Sequence, residues 1–314
     1  MDMNNSVKHL FLPLTVAIVI SALTSCKSNS NNESYQFEYK VIPSVINDDE
    51  GRIDYLSDRF WDNIPWNDTN TVIKSAQLQK PFADYLQILS SGSLSSAAES
   101  LGKLAEQCAN SGRNIQEPFI ELFEQSLYDP NSSYKNEELY IRVAEGFLRG
   151  KNLIPGALER FNFQLATLRK NRLGTISEDF KIITSKGREI NLHSVESPYT
   201  ILFFYEPECK SCNTDKEYIT GSKVFLNAGK TVKIVAVYTG TDLAIWEAHS
   251  KTFPASWEVG HDKDNMIVNE NIYDRRASPS IYILDGNKKV ILKDANAFEA
   301  EAFVAENIIK QPLQ

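Results

Sequence analysis

Cysteine is scarce in this sequence, and its placement excludes two common ways of stabilising a protein. The four cysteines are Cys26, Cys108, Cys209 and Cys212. Only the last two are spaced for an intramolecular pair, so the chain is not a disulfide-stapled scaffold. A closed structural zinc site needs four ligands, but there is no second cysteine pair, and His193, His249 and His261 show no paired spacing.

Blocks of basic residues are also missing. The chain has 33 Lys and Arg against 41 Asp and Glu, a formal net charge of −8. A mildly acidic protein without a Lys/Arg cluster repels phosphate backbones, so we expect no nucleic-acid partner. The 42% hydrophobic and 24% charged residues are ordinary for a globular protein, and 314 residues are enough for two domains.

The one long apolar stretch lies at the N-terminus. Lys8 precedes residues 10–23, a stretch of signal-peptide length that is short for a membrane span. The sequence LTSC that follows, residues 23–26, resembles the bacterial lipobox, in which the cysteine becomes the lipidated first residue of the mature protein. We therefore predict a lipoprotein signal peptide over 1–25 and lipidation of Cys26. The alternatives are an uncleaved anchor and a plain secretory signal ending near Ser25.

Residues 26–40 are predicted to form a flexible tether from the lipidated cysteine. Residues 27–36, KSNSNNESYQ, are polar and low in complexity, and such a segment reaches on the order of 20 Å from the bilayer. Lys27, in place of an Asp, resembles outer-membrane sorting in Gram-negative lipoproteins. We expect the protein in the cell envelope, at the outer membrane and facing the periplasm, where disulfides persist.

Residues 41–172 have a helical period and hardly any strand-like alternation, which predicts an all-α domain. One helix is expected to start at Pro81 and another at Asn136, with Gly150 as its stop. Cys108 completes an apolar stripe, which favours a buried hydrophobe over a redox role. A last helix over about 156–171 is expected to point four side chains inward: Leu158, Phe161, Leu165 and Leu168. No catalytic constellation is visible in this half, so we expect it to be structural or partner-binding.

Residues 173–314 change from a period of 3.6 to a period of 2, which predicts an α/β domain. Residues 199–205 and 231–238 are continuous apolar runs, typical of fully buried strands. Two hairpins are expected, one turning at Lys186–Gly187 and one at Asp285–Asn287. Helices are predicted over 213–229, 242–250 and 296–309.

The stretch CKSC, residues 209–212, lies where a buried strand leads into a helix. We expect Cys209 at or just before the helix N-terminus, where unpaired N–H groups and the helix dipole stabilise a thiolate. A thiolate is the nucleophile of disulfide exchange, and Cys212, one turn on, is close enough to form a disulfide with it. This position favours a redox centre over the two alternatives, half of a zinc site and a pair of buried core thiols.

Pro279 begins the strand before the final hairpin, within RRASPSIYIL. This resembles the cis-proline that thioredoxin-fold proteins place opposite their cysteine pair, where the backbone of the preceding residue, here Ser278, pairs with an extended substrate. The alternative is a trans-proline at the first residue of a strand.

Residues 175–314 resemble the thioredoxin-like domain of the TlpA/ResA class of membrane-anchored thiol–disulfide oxidoreductases. The motifs that carry the resemblance are DFKIITSKGREINL, FFYEPECKSC, WEVGHD and SPSIYILDGNKKV. Residues of about 41–172 resemble a helical domain of unknown function that precedes such domains in bacterial lipoproteins, through RFWDNIPWNDT, SLYDPNSSYKNEELY and NRLG. The resemblance implies an α/β thioredoxin-like domain over 173–314, preceded by the all-α domain.

The chain departs from this class around its cysteines. Many relatives have Trp before the first cysteine, where this chain has Glu208, and Pro often occupies the position of Ser211. Glu206 and Glu208 disfavour a thiolate at Cys209, whereas Lys210 and the helix end favour it, and the sequence does not decide the sum. A reduced form that is not strongly stabilised favours a reductant over a strong oxidant.

The function predicted from these residues is a membrane-tethered thiol–disulfide oxidoreductase, working as a reductase on disulfide- or thiol-containing envelope proteins. Cys209 would be the nucleophile and Cys212 the resolving cysteine. Some relatives relay the proton of the second thiol through an acidic residue, which makes Asp215 a candidate general base; a solvated helix-surface carboxylate is the alternative. No organic cofactor is needed, and the resemblance implies recharging by a membrane electron carrier of the DsbD type. The alternative function is a non-catalytic scaffold lipoprotein whose helical domain docks a partner.

Overall fold

The computed structural model describes residues 35–310. The predicted signal peptide, Cys26 and most of the predicted tether therefore lie outside the described residues. Within that part of the chain, no helix is both long enough and apolar enough to cross a bilayer.

The first half of the described chain is helical. Its helices are α1 (Asp49–Arg59), α2 (Ser75–Ser90), α3 (Leu94–Ala109), α4 (Arg113–Phe123), α5 (Glu137–Arg149) and α6 (Ala157–Leu168). A π-helical turn, Glu124–Tyr128, extends α4. These helices enclose one apolar core that includes Cys108. Cys108 is fully buried, and burial raises the pKa of its thiol well above the usual value.

Helices α3 and α5 cross where each has a glycine. A Cβ added at Gly146 would lie 2.9 Å from the Cβ of Ala105 and closer still to the carbonyl oxygen of Gly102. A Cβ added at Gly102 would lie 3.3 Å from the carbonyl oxygen of Arg142 on α5. Glycine is required here because the two helix backbones approach closely.

Two details of the helical prediction are wrong. Pro81 lies inside α2 and does not start it. The helix begins at Ser75 because the Gln77 side chain accepts a hydrogen bond from the Lys74 N–H at 2.7 Å and closes the first turn. Leu158 is 50% exposed, because it lies at the edge of the face that α6 buries with Phe161 and Leu165. The helix predicted from Asn136 to Gly150 is confirmed, with the Asn136 side chain accepting from the Leu139 N–H at 3.1 Å.

The second half is built on one seven-stranded sheet. Its strands are β1 (Lys181–Thr184), β2 (Glu189–Asn191), β3 (Tyr199–Tyr205), β4 (Val232–Tyr238), β5 (Glu258–Asp262), β6 (Ser280–Asp285) and β7 (Val290–Ala295), in the spatial order β2-β1-β5-β4-β3-β6-β7. Its helices are α7 (Lys210–Gly221), α8 (Lys223–Ala228), α9 (Leu243–Ser250), α10 (Met266–Asn269) and α11 (Ala297–Val304). The prediction of an all-α part followed by an α/β part is confirmed.

Strand β3 lies inside the sheet, between β4, to which it is parallel, and β6, to which it is antiparallel. Phe203 and its alternate neighbours enter one apolar core, while Leu202 and Phe204 enter the core on the other face. This two-sided burial explains the continuous apolar run in the sequence. The helices α7 and α8 connect β3 to β4, so α7 begins at the carboxyl end of β3.

The helix predicted over 213–229 is wrong as a single element. The first helix starts earlier, at Lys210, and Ser222 separates α7 from α8. The Ser222 hydroxyl accepts from the N–H of Val224 at 3.1 Å and of Phe225 at 3.3 Å, so it caps a new helix start. The domain boundary at 172/173 stays a prediction, since residues 35–310 group into one compact unit.

Candidate thiol–disulfide site

The cysteine pair lies at the junction between β3 and α7. Cys209 is the N-cap residue of α7, and its Sγ accepts the backbone N–H of Cys212 at 3.0 Å. The two sulfur atoms are bonded as a disulfide, with Cα atoms 5.2 Å apart. Cys209 is partly exposed, whereas Cys212 is only 2% exposed. The more accessible sulfur is therefore the one at the helix start.

Ser278 lies directly against the two cysteines, and the peptide bond between Ser278 and Pro279 is cis. The register of β3 with β6, in which Phe204 is paired with Ser280, brings the start of β6 beside the end of β3. Ser278 Oγ is 3.2 Å from Cys212 Sγ, and the Ser278 carbonyl oxygen is 3.5 Å from Cys209 Sγ. The structure thus brings together four residues that the sequence analysis identified as candidate site residues: Cys209, Cys212, Ser278 and Pro279.

Asp215 is half-buried on α7, and it is not a freely solvated carboxylate. Its Oδ2 accepts the backbone N–H of Ala297, at the start of α11, at 3.2 Å. Burial raises the pKa of the Asp215 carboxyl above its usual value, and this hydrogen bond opposes the rise. A carboxyl with a raised pKa is a better proton acceptor than an exposed one. Its role in proton relay remains a prediction.

Three further residues organise the site and were missed by the sequence reasoning as functional residues. The Ser211 hydroxyl donates to the Ser278 carbonyl oxygen at 2.7 Å. Arg275 Nη1 donates to Thr239 Oγ1 at 2.8 Å, and that hydroxyl donates to Glu206 Oε1 at 3.0 Å. Thr239 could have been identified from the sequence, because it is a polar residue directly after the buried strand β4. It lies at the carboxyl end of the parallel strands, where functional sites are commonly located.

This chain of hydrogen bonds changes the expectation for the acidic residues near Cys209. The Glu206 carboxylate is linked through the buried Thr239 to the cation of Arg275, so its charge is partly balanced.

Within the described residues, no group of three or more His, Cys, Asp or Glu side chains is arranged to hold a metal ion.

Comparison with known proteins finds one matching family model and several similar solved structures. A family model described as a domain of unknown function, DUF5106, matches residues 20–171. No curated protein matches the sequence at a significant level. Among solved structures, a thioredoxin-like protein from Bacteroides caccae is 28% identical with a TM-score of 0.78, covering 87% of this chain and 99% of that chain.

Shorter solved structures match only part of the chain. The C-terminal domain of an uncharacterized protein from Bacteroides fragilis is 37% identical with a TM-score of 0.42, covering 43% of this chain and 99% of that chain. The thioredoxin domain of a thiol–disulfide oxidoreductase from Bacteroides vulgatus is 19% identical with a TM-score of 0.38, covering 42% of this chain and 98% of that chain.

The Bacteroides caccae protein has a fold likeness that extends over most of both chains, and it joins the helical half and the sheet half in one molecule. The chain is a thioredoxin-fold protein whose residues 20–171 match the model of DUF5106, a domain of unknown function.

Proposed function

We propose that this protein is a thiol–disulfide oxidoreductase that works as a reductase. The observation that carries the proposal is the position of Cys209 Sγ, partly exposed at the start of α7 and 3.0 Å from the Cys212 N–H. Once the pair is reduced, that N–H and the helix dipole stabilise a thiolate on Cys209. The thioredoxin-like fold supports this assignment.

In the first step, the Cys209 thiolate attacks one sulfur of a substrate disulfide. A bond forms between Cys209 and that sulfur, the substrate disulfide breaks, and the leaving sulfur departs with the electron pair and takes a proton from water. Ser278 and Pro279 lie beside the cysteines, where the Ser278 backbone would pair with an extended substrate segment.

In the second step, the Cys212 thiol loses its proton and attacks Cys209. The bond between Cys209 and Cys212 forms, the mixed disulfide breaks, and the second substrate sulfur leaves with the electron pair and takes a proton from water. The substrate is then a dithiol, so it has gained two electrons and the cysteine pair has lost two. Asp215, on the same helix as Cys212, is the proposed acceptor of the Cys212 proton. A dithiol reductant of the DsbD type would then return two electrons to the pair.

The proposed setting is the cell envelope. Lipidation of Cys26 would tether the protein to a membrane, with the outer membrane facing the periplasm as the proposed location. Its substrates would be other envelope proteins that carry disulfides or thiols.

The test is thiol–disulfide exchange by the purified chain. The wild type should reduce insulin in the presence of dithiothreitol and equilibrate with glutathione, while Cys209→Ser should do neither. A reduction potential below about −300 mV together with no exchange would mark the pair as a structural bond and would overturn the proposal.

Trapping identifies the substrate. Cys212→Ala removes the resolving sulfur, so a substrate should remain attached to Cys209 through a mixed disulfide that dithiothreitol releases. Cys209→Ser/Cys212→Ala is the control and should retain nothing.

A further inference from the structure

The helical half of the chain holds the first residues of the loop that precedes β6. We call residues 270–279 the Pro279 loop. Lys170 Nζ donates to the Glu270 carbonyl oxygen at 2.6 Å, and the buried Asn171 side chain donates to the Ile272 carbonyl oxygen at 2.6 Å. Lys170 and Asn171 directly follow α6, so the last residues of the helical half hold the start of this loop.

The same loop is held near its end through Arg276, whose side chain is only 16% exposed. Arg276 Nη2 is 3.0 Å from Glu137 Oε1 at the start of α5, and Nη1 donates to the carbonyl oxygen of Tyr128. The guanidinium lies 3.8 Å from the centre of the Tyr128 ring. A planar guanidinium suits this combination of stacking and directed hydrogen bonds.

The contacts of Arg276 belong to a charged network shared by both halves. Arg276 Nε donates to Asp274 Oδ2 at 2.7 Å within the loop. Glu137 also pairs with Lys293, at 2.8 Å, and the Lys293 side chain is 4% exposed. Arg276 Nη2 also lies 3.6 Å from Asp294 Oδ2. Three carboxylates from the two halves thus face two cations, and because the network is largely shielded from solvent, its geometry is stiff.

The Pro279 loop connects this network to the sulfur atoms. Ser278 follows Arg276 by two residues, and its Oγ is 3.2 Å from Cys212 Sγ. On the opposite side, Arg275 fixes the loop to Thr239 at the end of β4. Ser278 is therefore the residue that joins the part of the loop held by Arg276 to the resolving sulfur.

We propose that Tyr128 and Glu137 are positioning residues for the redox site: through Arg276, the helical half sets where Ser278 and Pro279 lie against the cysteine pair. The inference rests on the proposed thiol–disulfide activity. It assigns the helical half a part in exchange itself, because the Ser278 hydroxyl lies 3.2 Å from Cys212 Sγ, the atom that changes between thiol and disulfide in the proposed reaction.

The test compares matched variants of the full chain. Tyr128→Leu removes the ring beneath Arg276, and Glu137→Gln removes one carboxylate. The matched control is Glu145→Gln, because Glu145 also lies on α5, has a side chain 22% exposed against 21% for Glu137, and also pairs with two cations, Arg142 and Arg169. Tyr128→Phe keeps the ring and serves as the conservative variant.

Two readouts are needed. The first is the rate of insulin reduction, and the second is the equilibrium in which two glutathione thiols reduce the Cys209–Cys212 bond and become one glutathione disulfide. In Tyr128→Leu and Glu137→Gln we expect at least a fivefold lower rate and at least a threefold shift of the equilibrium constant, with an unchanged circular dichroism spectrum. Glu145→Gln and Tyr128→Phe should match the wild type.

The outcomes separate this inference from the proposed function. If folded Tyr128→Leu has the wild-type rate of insulin reduction and the wild-type glutathione equilibrium, the inference is overturned and the proposed function stands. Tyr128→Leu is sufficient for this test if Glu137→Gln does not fold. A wild-type chain that does not exchange would overturn the proposed function and the inference with it.

Discussion

At the scale of single residues, Asp215 has two properties that a substitution can separate. Its carboxylate accepts the Ala297 N–H, and its pKa is raised by burial. Asp215→Asn keeps an acceptor oxygen for Ala297 but removes the base. We expect this variant to retain its stability and to release substrate from the Cys209 mixed disulfide about 100- to 10,000-fold more slowly, the typical size for lost general-base catalysis.

The measurement is single-turnover release of a fluorescent peptide from the mixed disulfide with Cys209. Asp215→Ala is the control, since it should lose both the rate and part of the stability. An Asn variant with the wild-type release rate would show that Asp215 only holds the start of α11.

Asp294 should make stability depend on pH. Burial raises the pKa of its carboxyl to about 6, and the nearby charges of Arg276, Lys135, Asp274 and Glu137 modify it. Because the folded state binds this proton more tightly than the unfolded state, the contribution to stability is full below about pH 4 and is lost as pH rises through 6. A shift of about two units corresponds to roughly 3 kcal/mol.

Urea unfolding of the wild type and Asp294→Asn at several pH values from 4 to 7.5 measures this contribution. The wild type should lose stability relative to the variant as pH rises. A difference between the two proteins that does not change with pH would contradict the assignment.

At the scale of elements, the crossing of α3 and α5 is a close backbone contact that added bulk should disrupt. Gly146→Ala would push a methyl group into the backbone at Gly102, so we expect it to lower the free energy of unfolding by about 1–3 kcal/mol, as overpacking does. Gly221→Ala is the control: Gly221 is also helical, but nothing lies within 4 Å of its added Cβ.

Denaturant unfolding of both variants checks this prediction. Alanine has the higher helix propensity, so Gly221→Ala should be neutral or stabilise by up to about 1 kcal/mol. Equal stabilities for the two variants would mean that α3 and α5 can move apart without loss.

Elements could be predicted where a local signal fixes them. Asn136 and Asn296 cap α5 and α11 through their own side chains, and the junction of strand and helix located Cys209 correctly. The prediction of a helix start at Pro81 was wrong because a proline, although favoured in the first turn, can also lie inside a helix. Pro81 is buried within α2. Strand β5 was not predicted as a strand, since WEVGHD is short and its burial depends on β4 and β1.

At the scale of the whole molecule, the contacts that organise the site join residues far apart in sequence. Arg276 and Glu137 are separated by 139 positions, and no pattern in a single sequence pairs two such charges. Asn171 and Ile272, which are joined by a hydrogen bond, are likewise 101 positions apart, and no local pattern predicts that contact. The fold class and the cysteine pair were therefore predictable from local pattern and resemblance, while the support of the Pro279 loop was not.

Shared buried contacts also predict that the two halves unfold together. Trp61 and Trp66 lie in the helical half, and Trp246 and Trp257 lie in the sheet half. In Trp61→Phe/Trp66→Phe, fluorescence reports the sheet half, whereas circular dichroism at 222 nm reports mainly the helices. The two urea midpoints should coincide.

Adding Glu137→Gln to this protein should separate the midpoints, because it removes a partly buried charge that pairs with Arg276 and Lys293 of the sheet half. Separate midpoints before that change would contradict the prediction of one cooperative unit.

The enclosed thiol of Cys108 provides a natural reporter of breathing motions in the helical core. In the oxidised protein it is the one cysteine of residues 35–310 that carries a free thiol, and a maleimide reaches it only when the surrounding helices open. Its labelling rate in increasing urea therefore measures the opening free energy of that core, without a label placed near the redox pair and without any engineered residue.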